Sequence, residues 1–173
     1  MRVFIAIDLP ENVKKEIKKI QDKLPEFKGK KTEEENLHLT LKFLGEVEED
    51  KVKEVKRRLG EIKIKKFEAG LENLGVFNPS FIKIVWLHLA GCERLQEEID
   101  DKLKGLFKKE KRFMSHLTIA RVKNVANKKE FLEKLREIKI PGIRFLVDNF
   151  KLKKSTLTAE KPIYEDLLKG ILE

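Results

Sequence analysis

The stretch Glu35-Asn36-Leu37-His38-Leu39-Thr40-Leu41-Lys42-Phe43-Leu44-Gly45 decides how this chain is read. Apolar and polar residues alternate from Leu37 to Phe43, the period of a half-buried strand. Side chains on a strand point to opposite faces in turn. Leu37, Leu39, Leu41 and Phe43 then share an apolar face, and His38, Thr40 and Lys42 share the other. A proton carrier, a hydroxyl and a cation in one row suit a phosphate site. The pattern recurs as His116-Leu117-Thr118-Ile119-Ala120-Arg121, 78 positions on. Two of the three histidines are thus followed by x-Thr and then Leu or Ile, although the chain has few threonines. Chance repetition of so specific a triplet is rare at this composition. The bland alternative is two buried strands that each hold a satisfied histidine.

Outward from these strands the order of elements also repeats. Val3–Ile7 reads as a buried strand stopped by Asp8-Leu9-Pro10, with Pro10 suited to the start of a helix. Val13, Ile17, Ile20 and Leu24 form one apolar stripe of that helix, which Pro25 ends. Lys28 to Glu35 reads as a charged loop, and Gly45 closes the first His strand. Val52, Val55, Leu59 and Ile62 mark a second helix. Ile64 to Leu74 reads as a strand broken at Gly70 and Gly75. Phe81 to Leu89 is a strong strand, with Val85, Leu87 and Leu89 on one face and Ile82, Ile84 and Trp86 on the other. His88, which lacks the x-Thr, reads as a structural or surface residue. A long helix is predicted over Cys92–Phe107, then a basic loop over Lys108–Arg112 and the second His strand. A helix follows near Lys128–Ile138. Ile143–Val147 and Phe150–Thr158 read as strands, a hairpin about Asp148-Asn149, and Tyr164–Leu172 is open between helix and strand.

At an offset of 78, Val3–Asp8 falls on Phe81–Trp86, the first helix on Cys92–Phe107, and the Val52–Ile62 helix on the Lys128–Ile138 helix. The unit strand, helix, His strand, helix, strand therefore occurs twice, about 3–74 and 81–158, within one bilobal domain over 1–173. Two such units pack naturally about a pseudo-two-fold axis, which would set the His strands face to face across a cleft.

Composition narrows the function. At 173 residues the chain can bury a core without staples. A net charge of +9 favours an anionic partner, most simply nucleic acid. A charged fraction of 40%, rich in Lys and Glu, resembles the ion-pair networks of heat-adapted proteins. The lone Cys92 allows no internal disulfide and reads as a reduced core thiol, as in a cytoplasmic protein. No zinc spacing, signal peptide or membrane-spanning apolar run is present. Neither a metal nor an organic cofactor is expected.

The pair His38-Leu39-Thr40-Leu41 and His116-Leu117-Thr118-Ile119 resembles the two signature motifs of the two-histidine (2H) phosphoesterase superfamily. The flanking Glu35-Asn36-Leu37, Lys42-Phe43-Leu44-Gly45 and Ala120-Arg121, with the opening Arg2-Val3-Phe4-Ile5-Ala6-Ile7-Asp8-Leu9-Pro10, are similar to one branch. That branch is the RNA 2′,3′-cyclic phosphodiesterases, long called 2′-5′ RNA ligases. The resemblance implies an α+β, bilobal fold whose antiparallel sheets line a central cleft. It implies metal-independent opening of a 2′,3′-cyclic phosphodiester end of RNA, such as a tRNA-derived end, to a 2′-phosphate by a monomer away from membranes. His38 would then give a proton to the departing 3′ oxygen and His116 would take one from water, with Thr40 and Thr118 stabilising the phosphoryl oxygens. Arg121 resembles the family's substrate-contacting arginine, with a surface ion pair as its alternative; Lys42 and Phe43 are further candidate substrate contacts, Phe43 against a place in the core. Two departures stand out: no Trp lies in Lys28 to Glu34, and Ser115 stands where the family often has Pro.

The chemistry agrees with the residue types. Opening the ring needs a base for water and an acid for the leaving oxygen, on opposite sides of phosphorus. One neutral and one charged imidazole fill both roles near neutrality. Strand parity works against two of the contacts, because Arg121 and Phe43 each lie five residues past their histidine and so on the opposite face unless the strand bends. An RNA-binding module without turnover would explain the charge but not the paired motifs. Ligation through a 2′-5′ bond would use the same two histidines in reverse.

Overall fold

A computed structural model describes residues 1–173. The chain is α+β, with four helices and two antiparallel sheets. The first sheet holds β1 (Arg2–Asp8), β3 (His38–Glu46), β8 (Asn149–Thr156) and β9 (Ile163–Ile171), in the order β3-β1-β8-β9. The second holds β2 (Lys28–Lys31), β4 (Phe67–Val76), β5 (Ile84–Ala90), β6 (His116–Asn124) and β7 (Arg144–Val147), in the order β2-β6-β5-β4-β7. The helices are α1 (Glu11–Asp22), α2 (Glu49–Leu59), α3 (Glu93–Lys102) and α4 (Lys128–Glu137). No helix is long and apolar enough to cross a membrane.

Strand alternation puts Val3, Ile5 and Ile7 of β1 and Val85, Leu87 and Leu89 of β5 into one continuous apolar cluster. The lobes therefore share a core. Their helices lock them together: α1 packs on β6 of the second sheet and α3 on β3 of the first. Gln21, buried on α1, donates to the carbonyls of Ile119 in β6 and Thr32, each at 2.9 Å. α1 carries the predicted Val13, Ile17 and Ile20 stripe.

Several expectations change. The Lys28–Glu35 loop contains β2, an edge strand on β6, and a single 3-10 turn at Glu34–Asn36. All four β2 residues are exposed, so backbone pairing alone makes it a strand. Gly29 permits that approach: a Cβ there would meet the Arg121 carbonyl oxygen at 2.2 Å. β4 runs unbroken through Gly70 and Gly75, and the Trp86 ring packs where a Gly75 side chain would stand. α3 is shorter than Cys92–Phe107, ending at Lys102. β7 and β8 form no hairpin, since β7 pairs with β4 and β8 with β1 and β9. The ambiguous C-terminal stretch is strand β9. Each sheet also borrows across the midpoint of the chain, as β4 joins the second sheet and β8 returns to the first.

Candidate active site

The two His strands carry the same irregularity. Along β1, Ile5 faces Lys42 and Ala6 faces Thr40, so Leu41 is an extra residue in β3. Along β5, Val85 faces Ala120 and Trp86 faces Thr118, so Ile119 is the extra residue in β6. A bulge of one residue reverses the parity of everything beyond it. Phe43 and Arg121 thereby turn to the face of the histidines, which removes the parity obstacle, and Lys42 turns away. The bulged Ile119 carbonyl accepts from both the Thr32 amide and Gln21, each at 2.9 Å.

The same registers relate the lobes more closely than the sequence offset does. His38 faces Asp8 and His116 faces His88. β1 and β5 thus correspond at an offset of 80, whereas the His strands correspond at 78.

Each histidine is oriented in the same way. His38 Nδ1 lies 2.8 Å from the carbonyl oxygen of Asn36, and His116 Nδ1 lies 2.9 Å from that of Met114. A carbonyl only accepts, so each Nδ1 carries a hydrogen and each Nε2 is the nitrogen free to exchange protons. His38 Nε2 lies 3.2 Å from Thr40 Oγ1. His38, Thr40, His116, Thr118, Phe43 and Arg121 all line one cleft of about 920 Å³.

The surroundings of the two rings differ. Phe4 and Tyr164 flank His38, with ring centroids 5.1 and 5.2 Å away. Burial among them pushes the His38 pKa down to about 4; the Asn36 carbonyl and Asp8 oppose this, and Lys153 and Arg121 reinforce it. His38 is therefore neutral at pH 7. His116 is partly exposed and meets Phe77 edge-on, with centroids 4.9 Å apart. Burial also raises the Tyr164 hydroxyl against the opposing pull of Arg121 and Arg2.

Positive charge lines both lobes. Arg2 lies 5.0 Å over the ring of Phe43, which itself stacks near Phe4. Lys31, Arg112 and Arg121 add charge, while Lys30 and Lys161 are tied to Glu33. An anion entering the cleft meets cations that other carboxylates have not already neutralised.

Lys42 is a correction. Its ammonium is buried, 2.5 Å from Asp100 and 2.8 Å from the Lys108 carbonyl. Burial pushes the Asp100 carboxyl up, but hydrogen bonds from Lys42, the Glu110 amide and Gln96 outweigh it and hold it low. Lys42 borders the cleft, but its ammonium is committed to a tie between β3 and α3. The bulge puts it there. His88 Nδ1 donates to the Glu72 carboxylate, 2.7 Å away, and His88 does not line the cleft. Cys92 is buried, and burial with the Glu93 charge pushes its thiol up to about 12, as suits a core residue. Arg2, Phe4, Phe77 and Tyr164 join the cleft without any sequence signal, because only strand pairing brings them beside the histidines. No group of three or more His, Cys, Asp and Glu side chains is placed to hold a metal ion.

Comparison with known proteins agrees with this geometry. The family model for LigT-like phosphoesterases matches residues 7–86 and 89–164, each segment holding one His strand. A Methanocaldococcus jannaschii protein named RNA 2′,3′-cyclic phosphodiesterase is 43% identical over 171 residues, covering 95% of this chain and 97% of the relative. An Archaeoglobus fulgidus protein of the same name is 37% identical, covering 96% of this chain and 98% of the relative. The crystal structure of Escherichia coli LigT complexed with 3′-AMP matches with a TM-score of 0.81 at 29% identity, covering 99% of this chain and 97% of that one. On a family match spanning nearly the whole chain, and relatives of this identity and coverage, the protein belongs to the LigT-like phosphoesterase family.

Proposed function

We propose that this chain hydrolyses 2′,3′-cyclic phosphodiester ends of RNA to 2′-phosphomonoesters, without a metal. The observation that carries the reading is the pair of imidazoles in one basic cleft, each with Nδ1 committed to a carbonyl and Nε2 left for proton transfer. The names of the relatives support the substrate. In the reaction the water oxygen attacks phosphorus and the bond from phosphorus to O3′ breaks. His116 takes the proton of water and His38 gives one to O3′. Thr40 and Thr118 donate to the non-bridging oxygens, and Arg121 offsets their charge. Phe43, with Arg2 against it, supports the ribose and base.

His38 needs a proton for this role, and burial disfavours one. The bound phosphate supplies the missing stabilisation, because an adjacent anion favours imidazolium. Proton uptake then accompanies substrate binding. The substrate is an RNA end, tRNA-derived ends included, met in the cytoplasm by a monomer.

The test is an RNA ending in 2′,3′-cyclic phosphate, incubated with the protein in EDTA, with product ends read by phosphorus NMR. A 2′-phosphate formed at an undiminished rate is expected. A 3′-phosphate, or turnover that chelation abolishes, would overturn the reading.

A further inference from the structure

The Lys42 ammonium and the Asp100 carboxylate move no proton in the reaction, yet their side chains are only 2% and 1% exposed. Neither is spent on the other alone. Lys42 Nζ also donates to the Lys108 carbonyl at 2.8 Å and lies 3.8 Å from the Glu110 carboxylate. Asp100 Oδ2 accepts from the Glu110 amide at 3.0 Å and from Gln96 at 2.8 Å. The pair thus grips one stretch of backbone at two points, by a carbonyl at Lys108 and by an amide at Glu110. The bulge at Leu41 aims Lys42 at this stretch. A lysine on the strand of His38 thereby reaches the other lobe.

The gripped backbone leads to His116. The Met114 carbonyl orients that ring through Nδ1 at 2.9 Å. From Lys108 to Met114 the chain belongs to no helix or strand and makes no backbone–backbone hydrogen bond. Phe113 packs on the core, and past Met114 the Ser115 carbonyl accepts from the Leu89 amide at 3.1 Å. The Lys42–Asp100 pair is therefore the polar anchor at the segment's outer end. His38 is served differently. Its orienting carbonyl, on Asn36, sits in a 3-10 turn closed by bonds of its own, from the Asn36 amide to Glu33 and from the Leu37 amide to Glu34.

We propose that Lys42 and Asp100 are positioning residues for His116: they fix the Lys108–Met114 segment, so that the Met114 carbonyl keeps the hydrogen on Nδ1 and Nε2 stays aimed at the attacking water. This rests on His116 being the base of the proposed reaction. The step served is transfer of a water proton to Nε2 as the water oxygen bonds to phosphorus and the bond to O3′ breaks. A neutral ring released from its carbonyl can carry its hydrogen on Nε2 instead, and such a ring has no lone pair there to take the proton. A misplacement of about 1 Å costs up to roughly 100-fold in rate.

The test uses Lys42→Met combined with Asp100→Leu, which removes both charges and strands neither. Urea unfolding establishes that the variant is folded. Its kcat on a 2′,3′-cyclic nucleotide should fall roughly 10- to 100-fold. Nitrogen-15 NMR of the imidazoles at alkaline pH reads the tautomers directly. In the wild type both catalytic rings should carry their hydrogen on Nδ1. In the double variant His116 should shift towards the Nε2–H form, while His38, whose carbonyl lies in its own turn, should not. Asp100→Asn keeps an oxygen for Lys42 and loses the acceptor for the Glu110 amide; it should show the same change at smaller amplitude, and it serves if the double variant does not fold. A folded variant with wild-type kcat, or with the His116 hydrogen still on Nδ1, would overturn the proposal. Equal shifts at both rings would also overturn it, since they would report a general loosening. The tautomer readout needs no turnover, so a wild type inert on the cyclic ester removes the functional reading alone, and the NMR result still decides the positioning.

Discussion

At the residue scale, the threonines and His38 carry the sharpest expectations. Replacing Thr40 or Thr118 by Val keeps the shape of a strand residue and removes the hydroxyl. By analogy with losing one donor to a developing oxyanion, kcat should fall roughly ten- to a thousand-fold, read in a continuous assay of a cyclic nucleotide. Wild-type turnover in both variants would reduce these threonines to strand formers. His38 makes a different prediction, about folding. Its pKa is about 4 in the folded protein, against about 6.5 for an unperturbed imidazole. Between these values the unfolded chain binds the extra proton, so stability falls as pH drops from about 6.5 towards 4 and levels off below. The full contribution is up to about 3 kcal/mol. Urea unfolding of His38→Gln should show a shallower loss across that window than the wild type. The depressed carboxyls of Asp8 and Asp166 act at lower pH, because their stabilisation is lost only as pH falls through values below the ordinary 3.8. Parallel curves for wild type and variant would show that burial of His38 has no such effect.

At the scale of elements, the buried Lys42–Asp100 pair joins β3 of one sheet to α3 on the other lobe. Breaking such a pair leaves a charge stranded, at a cost of about 3–5 kcal/mol, whereas replacing both partners by apolar groups is often nearly neutral. Lys42→Met should therefore destabilise by about that amount in urea unfolding, and Lys42→Met with Asp100→Leu should recover most of it. A double variant as weak as the single one would show that the pair is not an isolated tie. This tie is also where strand reading from sequence stopped. The His strands, the buried faces of β1 and β5 and the helical stripes were legible, because burial imposes periods of 2 and 3.6. The bulges at Leu41 and Ile119 were not. In β3 the extra residue breaks the alternation through Lys42, a charge whose partner is 58 residues away, and in β6 through Ala120, too small to mark a face. β2 was illegible because Lys28-Gly29-Lys30-Lys31 buries no side chain. β7 and β8 read as a hairpin because adjacent strands usually pair; here the chain parts at Asp148 and feeds two different sheets.

At the scale of the whole molecule, two sheets with one core hold two similarly oriented histidines on opposite lobes of one cleft. Helices packed on the opposite lobe's His strand make the separation of the imidazoles a property of the whole fold. The similarity stops at their surroundings, one ring set between Phe4 and Tyr164 and the other edge-on to Phe77. That asymmetry separates the protonation of the free protein from that of the complex. A bound phosphate should raise the pKa of His38, so the acidic limb of kcat should lie at higher pH than that of kcat/KM.

The central claim is that two histidines, and no metal, move the protons, and the pH dependence of kcat/KM in the presence of EDTA tests it most directly. The two limbs belong to the coupled pair. The account predicts a bell whose acidic limb lies near the depressed His38 value of about 4 and whose activity is indifferent to chelator. A rate that climbs steadily with pH and collapses in EDTA would contradict it.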